Sequence, residues 1–495
     1  MKHLRRQAAS RRKTMRWFVD GIIGTRLQAV RENAWWFLAV LALQIAGSAG
    51  LAQENIGRIP AGEERSKDYT VQVEGQDIPV YAVKVAPADP ARRWKAMDDK
   101  VRSAEYFDKA SFAYFDLRGP VTVTVTCPEP IASAKVLPSS LQIAPVVAGR
   151  RLTFSLTEPK PVTVEVNGNW VGALHLFANP PETQAPRPDD PNVIYFGPGI
   201  HEVAGVKVGS GKTVYVAAGA VVKGTADGRG PVFTLEGEHI VLCGRGVIDG
   251  SLCPTHARNL LLVRGKDITV EGVILRDSSV WTLPIRQSDR VTVKNVKLLG
   301  YRANSDGIDV CNSRDVTIEG CFIRTLDDLI VVKADRGQGQ VRRIVARKCV
   351  LWNEVAHALS VGAELREDVD DVLFEDCDVI HDKGREWTLR VFHCDSARVS
   401  NIRFENLRIE ESPRLISLWI GTFVWTRDPE RGHIQGVTFK NIRAVADPLR
   451  IELTGFDEAH AVSDVVFQEV RVNGRPLTGA DVKANAFVRN VSVSP

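Results

Sequence analysis

Asp267-Ile268-Thr269-Val270-Glu271-Gly272, Asp315-Val316-Thr317-Ile318-Glu319-Gly320 and Gly436-Val437-Thr438-Phe439-Lys440-Asn441 are copies of one pattern. Two apolar positions flank a threonine, a charge follows, and the block closes on Gly or Asn. Apolar residues at a period of two belong to a half-buried strand, and a Gly, Asn or Asp next to it belongs to a tight bend. Aligning on the first apolar residue collects blocks at Val214, Ile240, Ile268, Val291, Val316, Ile344, Val372, Ile402, Val437 and Val465, spaced by 23 to 35 residues. A short unit that recurs in this way cannot bury its apolar face alone and must stack on its neighbours, which makes a solenoid. Helical periodicity is absent between blocks. A coil of roughly 25 residues is too short for a βαβ unit but sufficient for three short strands and three turns. The pattern therefore predicts an all-β protein built on a right-handed parallel β-helix of about ten coils.

Working outward, Cys321, Cys349 and Cys377 hold the same place in successive blocks, so their side chains are expected to stack about 4.8 Å apart inside the coil. A disulfide fits that separation; buried free thiols acting as small hydrophobes are the expectation. The other cysteines are Cys127, Cys243, Cys253, Cys311 and Cys394, and no Cys-x-x-Cys occurs, which argues against a zinc or redox motif. Upstream, residues 66–185 alternate in short runs such as Val121-Thr122-Val123-Thr124-Val125, broken by Gly, Pro and Asn turns. That predicts a small antiparallel β-sandwich domain. Residues 186–192, within a Pro-rich stretch, read as a linker, and residues 193–495 as the β-helix catalytic domain.

A composition of 44% apolar and 25% charged residues over 495 positions excludes disordered and collagen-like classes. The formal charge is +4, but residues 1–52 hold nine Lys/Arg against two acids, a local +7, which leaves −3 for the remainder. That removes basicity as an argument for a nucleic-acid partner. From Asn33 to Gln53 the chain carries no charge, and Gly50 and Ala52 stand like the small residues of a signal-peptidase site. Residues 1–52 are thus expected to be a signal peptide and the mature chain to be secreted or periplasmic, with no membrane contact after cleavage. An uncleaved anchor is the competing reading.

The segments before the repeat align too: Asn304-Ser305-Asp306, Asp327-Asp328, Ala356-His357-Ala358 and Arg390-Val391-Phe392. Asp306 and Asp328 are 22 residues apart, one coil, so their carboxylates are expected one above the other, with His357 and then Arg390 in the coils beyond. Carboxylates that close cannot all stay ionised, and one is expected to hold a proton near neutral pH. A held proton beside ionised carboxylates is what glycoside hydrolysis requires. Consecutive strand residues point to opposite faces, so Asp327 and Asp328 share a cleft only if Asp327 ends a turn. A polar ladder that merely stabilises the coil is the competing reading.

At these residues the chain resembles the polygalacturonase-type glycoside hydrolases (family 28) of the pectate-lyase-like β-helix superfamily, whose ordered pattern is Asn-Thr-Asp, Asp-Asp, Gly-His-Gly and Arg-x-Lys. Gly244-Arg245-Gly246-Val247-Ile248-Asp249-Gly250 also looks like that family's early Gly-rich segment. The resemblance implies an inverting hydrolase of a pectin-type chain, galacturonan or rhamnogalacturonan related. Asp327 would be the acid, Asp306 and Asp328 the groups that activate water, and His357 a tuner of the acid; Asn304 falls within the matched motif, and Arg390 would bind sugar. Two departures stand out: Ala356 and Ala358 replace the glycines, and Phe392 replaces the Lys that pairs with a uronate carboxylate. The two-domain layout also looks like the family 49 dextranase and isopullulanase group, which cuts neutral α-glucans.

Trp281, Tyr301, Trp387, Trp419 and Trp425 lie near the aligned strands, and Trp387 and Trp425 sit in the two segments that lengthen a coil, where solenoids carry binding residues. Trp281 and Trp387 are carried as substrate-binding candidates, and Arg385 and Lys333 as replacements for the missing cation. The first domain offers no catalytic cluster and reads as a structural or carbohydrate-positioning module. No cofactor and no resident metal are expected, and a monomer acting on a polysaccharide is. The competing functions are a Ca²⁺-dependent polysaccharide lyase, with the aspartates as oxygen ligands, and a β-helix that binds glycans without cutting them.

Overall fold

The computed structural model describes residues 57–183 and 185–495. The expected signal peptide, residues 1–52, lies outside the described residues, and Glu54–Pro495 form one compact unit. No helix among the described residues is long and apolar enough to cross a membrane.

Residues 193–495 wind into a parallel β-helix in which each coil adds one strand to each of three ladders. The first ladder runs through Leu283–Arg286, Ile308–Cys311, Ile330–Ala334, Leu359–Leu365, Leu389–His393 and Ile416–Ile420. The second runs through Asp289–Lys294, Arg314–Glu319, Val341–Arg347, Val369–Glu375, Arg398–Glu405 and His433–Lys440, and carries the repeat. The third runs through Lys297–Leu299, Phe322–Thr325, Val350–Asn353, Asp378–Asp382 and Arg408–Ser412.

The repeat alignment holds from Ile240 onward: Ile240 pairs with Ile268, Ile268 with Val291, Val291 with Val316, and so on to Val437 with Val465. At the first step it is corrected, because Val214 faces Leu242 and not Ile240. The slip is two residues, which keeps every side chain on its own face, so apolar alternation cannot detect it.

The polar residue before each block bends the chain near the start of its second-ladder strand. Asp267, Arg290, Asp315, Arg343, Asp371 and Asn401 all have φ between 54° and 57°. A side chain in the left-handed region costs roughly 1–2 kcal/mol, and here opposite charges stack along the column to offset it. Arg290 meets Asp267 at 2.6 Å and Arg343 meets Asp315 at 2.5 Å. Inside the coil like stacks on like: Phe374, Phe404, Phe439 and Phe467 form a column with ring centroids 5.0–5.1 Å apart. Cys321, Cys349 and Cys377 are buried free thiols, as are Cys253, Cys311 and Cys394.

The N-terminal layers are two five-stranded sheets. One departure from the expected antiparallel sandwich appears: Asn169–Asn179 pairs with Asp108–Asp116 in parallel. These strands are joined by an excursion through the other sheet, so no hairpin forces them antiparallel. Their apolar face, with Tyr81, Phe112, Tyr114 and Phe177, packs on the outer face of the third ladder, on Val247, Ile274, Leu299, Phe322 and Trp352. Charges cross the seam as well. Arg245 meets Asp116 at 2.7 Å and Arg93 lies 3.8 Å from Glu354, which on its own side of the seam meets Arg324 at 2.9 Å in a pair with no exposed surface. Arg324 also reaches the backbone oxygen of Val171 and the ring of His175.

A short α-helix, Pro90–Asp98, projects from these layers. Asp89 caps it by accepting from Ala91 N–H, and Pro90 occupies its first turn, where a missing N–H costs nothing. Its inner residues Ala96 and Met97 pack on Leu326 and Val355, in the turns that start two strands of the first ladder.

Candidate active site

The first ladder and the turns that feed it line a cleft of about 730 Å³. Asn304, Asp306, Asp327, Asp328, Lys333, His357, Arg385, Arg390, Phe392 and Trp281 all border it. Trp387 does not: it is buried, 6% exposed, and is absent from the lining, with Arg414 6.0 Å from its ring. Tyr301 packs away from the cleft, against Phe107 of the N-terminal layers. Trp419 and Trp425 are in the wall, with Phe423 beside them.

Stacking of coils brings the carboxylates together. Gly307 N–H donates to Asp328 C=O and Leu329 N–H to His357 C=O, so the segments holding Asp306, Asp328 and His357 lie on consecutive coils. Asp327 and Asp328 fall between the strands Phe322–Thr325 and Ile330–Ala334, not within either. That bend, expected from the sequence, lets both side chains face the cleft. Asn304 takes φ 54°, a conformation Asn tolerates, and donates to Asp327 Oδ2 at 3.0 Å. Gly307 makes room for the stack, since a Cβ there would lie 2.3 Å from the carbonyl oxygen of Leu329.

Asp306, Asp327 and Asp328 offer one oxygen each within 4.8 Å of one another, and all three are buried. Their environments push them apart. Burial, and then the charge of Asp328, raises Asp327 to about 7. Burial works on Asp328 as well, but the His357 imidazole and Lys333 outweigh it and hold Asp328 below the usual carboxylate value. Asp306 is raised well above it by burial, Asp309 and Asp327, against the pull of Lys333.

His357 Nδ1 lies 2.5 Å from Asp328 Oδ1, and Arg390 lies 3.0 Å from His357 Nε2. A guanidinium can only donate, so Nε2 accepts and the ring proton sits on Nδ1, where it is given to Asp328. Glu386 meets Arg390 at 2.9 Å and holds the other end of this chain. Phe392 lies under the Arg390 guanidinium at 3.8 Å and packs on Trp419 and Phe423.

The three carboxylates have the spacing of a cation site, yet each already faces a donor: Lys333 on Asp306, Asn304 on Asp327 and His357 on Asp328. Lys333 is placed by two acids, 3.2 Å from Asp306 and 3.0 Å from Asp309, with Trp281 against it at 4.0 Å. Sequence reasoning passed over Asp309, Glu386, Glu364 and His256, which also belong to the site or its border. Asp309 was within reach as a signal: it lies three residues beyond Asp306, in the strand Ile308–Cys311, where a buried strand would otherwise be apolar. Met97 and Lys100, supplied to the cleft by the N-terminal layers, carried no motif at all.

Residues 202–493 match the family model described as glycosyl hydrolases family 28. Among curated relatives, a polygalacturonase of Chamaecyparis obtusa is 26% identical over 53% of this chain and 52% of its own length. One of Juniperus ashei is 26% identical over 50% and 54%. The chain thus spans about half the length of these relatives. Among solved structures, an exopolygalacturonase from Thermotoga maritima aligns with TM-score 0.51 and 16% identity over 61% of this chain and 84% of its own. Dex49A from Penicillium minioluteum aligns with TM-score 0.54 and 13% identity over 88% and 96%. At such identities the structural likeness speaks to the fold.

Proposed function

Because the chain belongs to family 28 of the glycosyl hydrolases, we propose that it hydrolyses glycosidic bonds of a pectin-type polysaccharide, galacturonan or rhamnogalacturonan related, with inversion at the anomeric carbon. The observation that carries this reading is the split within one buried carboxylate group: Asp327 rises to about 7 while Asp328, one residue on, falls. Asp327 gives its proton to the glycosidic oxygen as the bond to the anomeric carbon breaks. Water attacks that carbon from the other face and loses a proton to Asp328, with Asp306 holding the water by a hydrogen bond. His357 keeps Asp328 ionised and in place, Arg390 fixes the tautomer of His357, and Asn304 orients Asp327.

The nearest oxygens, within 4.8 Å, are closer than the separation of about 6.5–9.5 Å across which inverting pairs usually seat water. Inversion is supported here by the third carboxylate and by the tethers on Asp306 and Asp328. A nucleophile must be free to reach the anomeric carbon, and both are held by Lys333 or His357. Phe392, Trp419 and Phe423 make one wall apolar, which favours a neutral or deoxy sugar there. The uncharged run before Gln53 supports export of the chain to where such polysaccharides lie.

The test is reducing-sugar release from polygalacturonan, rhamnogalacturonan and dextran, with NMR of the first anomer formed. Asp327→Asn is expected to lose on the order of 10²- to 10⁴-fold in turnover with its fold intact. Retention of more than about a tenth of wild-type turnover on a poor leaving group would remove Asp327 from the acid role. Release from dextran alone would replace the substrate class, and an unsaturated product absorbing in the ultraviolet would replace hydrolysis with elimination.

A further inference from the structure

We propose that Lys100, on the N-terminal layers, is a specificity-determining residue that binds a carboxylate of the substrate. The inference rests on the hydrolase reading above and deepens it by naming one group the cleft recognises.

Met97 and Lys100 are the two residues from outside the β-helix that border the cleft. The segment that carries them is fixed to the catalytic turns. Ala96 packs against Leu326 and Val355, next to Asp327 and Ala356. Asp98 meets Arg385 at 2.7 Å, and buried Arg93 donates to the carbonyl oxygen of Lys383 at 3.3 Å. Just past the helix, Asp99 N–H bonds to Lys95 C=O and Ser103 Oγ donates to Lys100 C=O, which pins the backbone at Lys100.

The charges in the cleft single this lysine out. Four cations border it. Lys333 is shared by Asp306 and Asp309, Arg385 is paired with Asp98, and Arg390 is paired with Glu386. Among the described residues Lys100 makes no ion pair, and its side chain is exposed to the cleft mouth. A cation already matched by a protein acid gains little from a substrate anion, whereas an unmatched one gains the whole interaction. Elsewhere in the lining is the apolar group Phe392, Trp419 and Phe423. One part of the lining therefore suits a deoxy or neutral sugar and another a uronate, which together describe a chain that alternates the two.

The experiment compares rhamnogalacturonan oligosaccharides with the same oligosaccharides after chemical reduction of their carboxyl groups to alcohols. Wild type, Lys100→Ala and Lys100→Arg are assayed on both, at low and at high salt. For Lys100→Ala, KM on the acidic substrate is expected to rise about fivefold, the size of a partly exposed ion pair, with kcat little changed. Lys100→Arg should keep most of the affinity, and the preference of wild type for the acidic substrate should shrink as salt rises. Equal losses on the acidic and reduced substrates, or no loss on either, would overturn the assignment. So would a wild type that does not distinguish them. Failure of wild type to cut either oligosaccharide would instead count against the substrate class proposed above, which separates the two outcomes.

Discussion

Replacing Lys333 with methionine tests the electrostatic account of the site most directly. Methionine keeps an unbranched stem to lie against Trp281 and removes the charge that Asp306 and Asp309 share at 3.2 and 3.0 Å. At those distances each attraction is about 5 kcal/mol with an effective dielectric of about 20. Removing one partner of a buried pair typically costs about 3–5 kcal/mol. The carboxyls can relieve part of that cost by taking up a proton. Asp306 is already raised in the wild type, so the added proton goes chiefly to Asp309, which burial raises and Lys333 now opposes.

The sign of the pH dependence follows. A carboxyl whose folded pKa lies above its unfolded one contributes stability that is intact below the unfolded value and lost as pH rises towards the folded one. Each such proton takes away about 1.4 kcal/mol per pH unit. Between mildly acidic and mildly alkaline pH, about 5.5 and 8, the variant's deficit should therefore grow, by at most about 1.4 kcal/mol per pH unit. Urea unfolding of both proteins at the two pH values, followed by tryptophan fluorescence, measures this. A deficit that is the same at both, or that shrinks as pH rises, would refute the shared-cation account. Activity should fall at least about a hundredfold, since Asp306 would lose the cation that holds it beside the attacking water.

Two further outcomes are expected. With Asp327 at about 7 and needed in its protonated form, kcat/KM should be level in mildly acidic solution. Above that value it should fall about tenfold per pH unit, read on a substrate with a poor leaving group, and a fall beginning well below pH 6 would contradict the assignment. Phe392→Lys should move preference towards chains with a uronate against that wall. The comparison is kcat/KM on homogalacturonan oligomers and on the best neutral or alternating substrate; efficient cleavage of homogalacturonan by the wild type would remove the basis for it.

The coil architecture and the meeting of Asp306, Asp328 and His357 were legible because a solenoid converts sequence period into distance. Once Asp306 and Asp328 are one coil apart, adjacency follows without side-chain detail. The parts that escaped have other physical origins. A two-residue slip at Val214 leaves the apolar faces unchanged, so alternation is blind to it. Trp387 stands in a lengthened coil, but coil length says where a loop leaves the ladder and not which way its side chains turn. The helix Pro90–Asp98 announces itself only by Asp89-Pro90, a cap followed by a proline, and nothing in that dipeptide tells that the helix will reach another layer's cleft. Contacts between layers far apart in the chain have no period to read.

The buried pair of Arg324 and Glu354 has a consequence for how such a chain can change. Both side chains have no exposed surface, and both lie under residues of the N-terminal layers: Val171 and His175 over Arg324, and Arg93 3.8 Å from Glu354. Cutting those layers away would strand an ion pair and the face of Phe322 and Trp352 in solvent. The N-terminal layers are therefore no detachable cassette. A β-helix taken from this chain alone would need its third ladder rewritten before it could stand in water, and an exchange with a relative would have to carry both sides of the seam together.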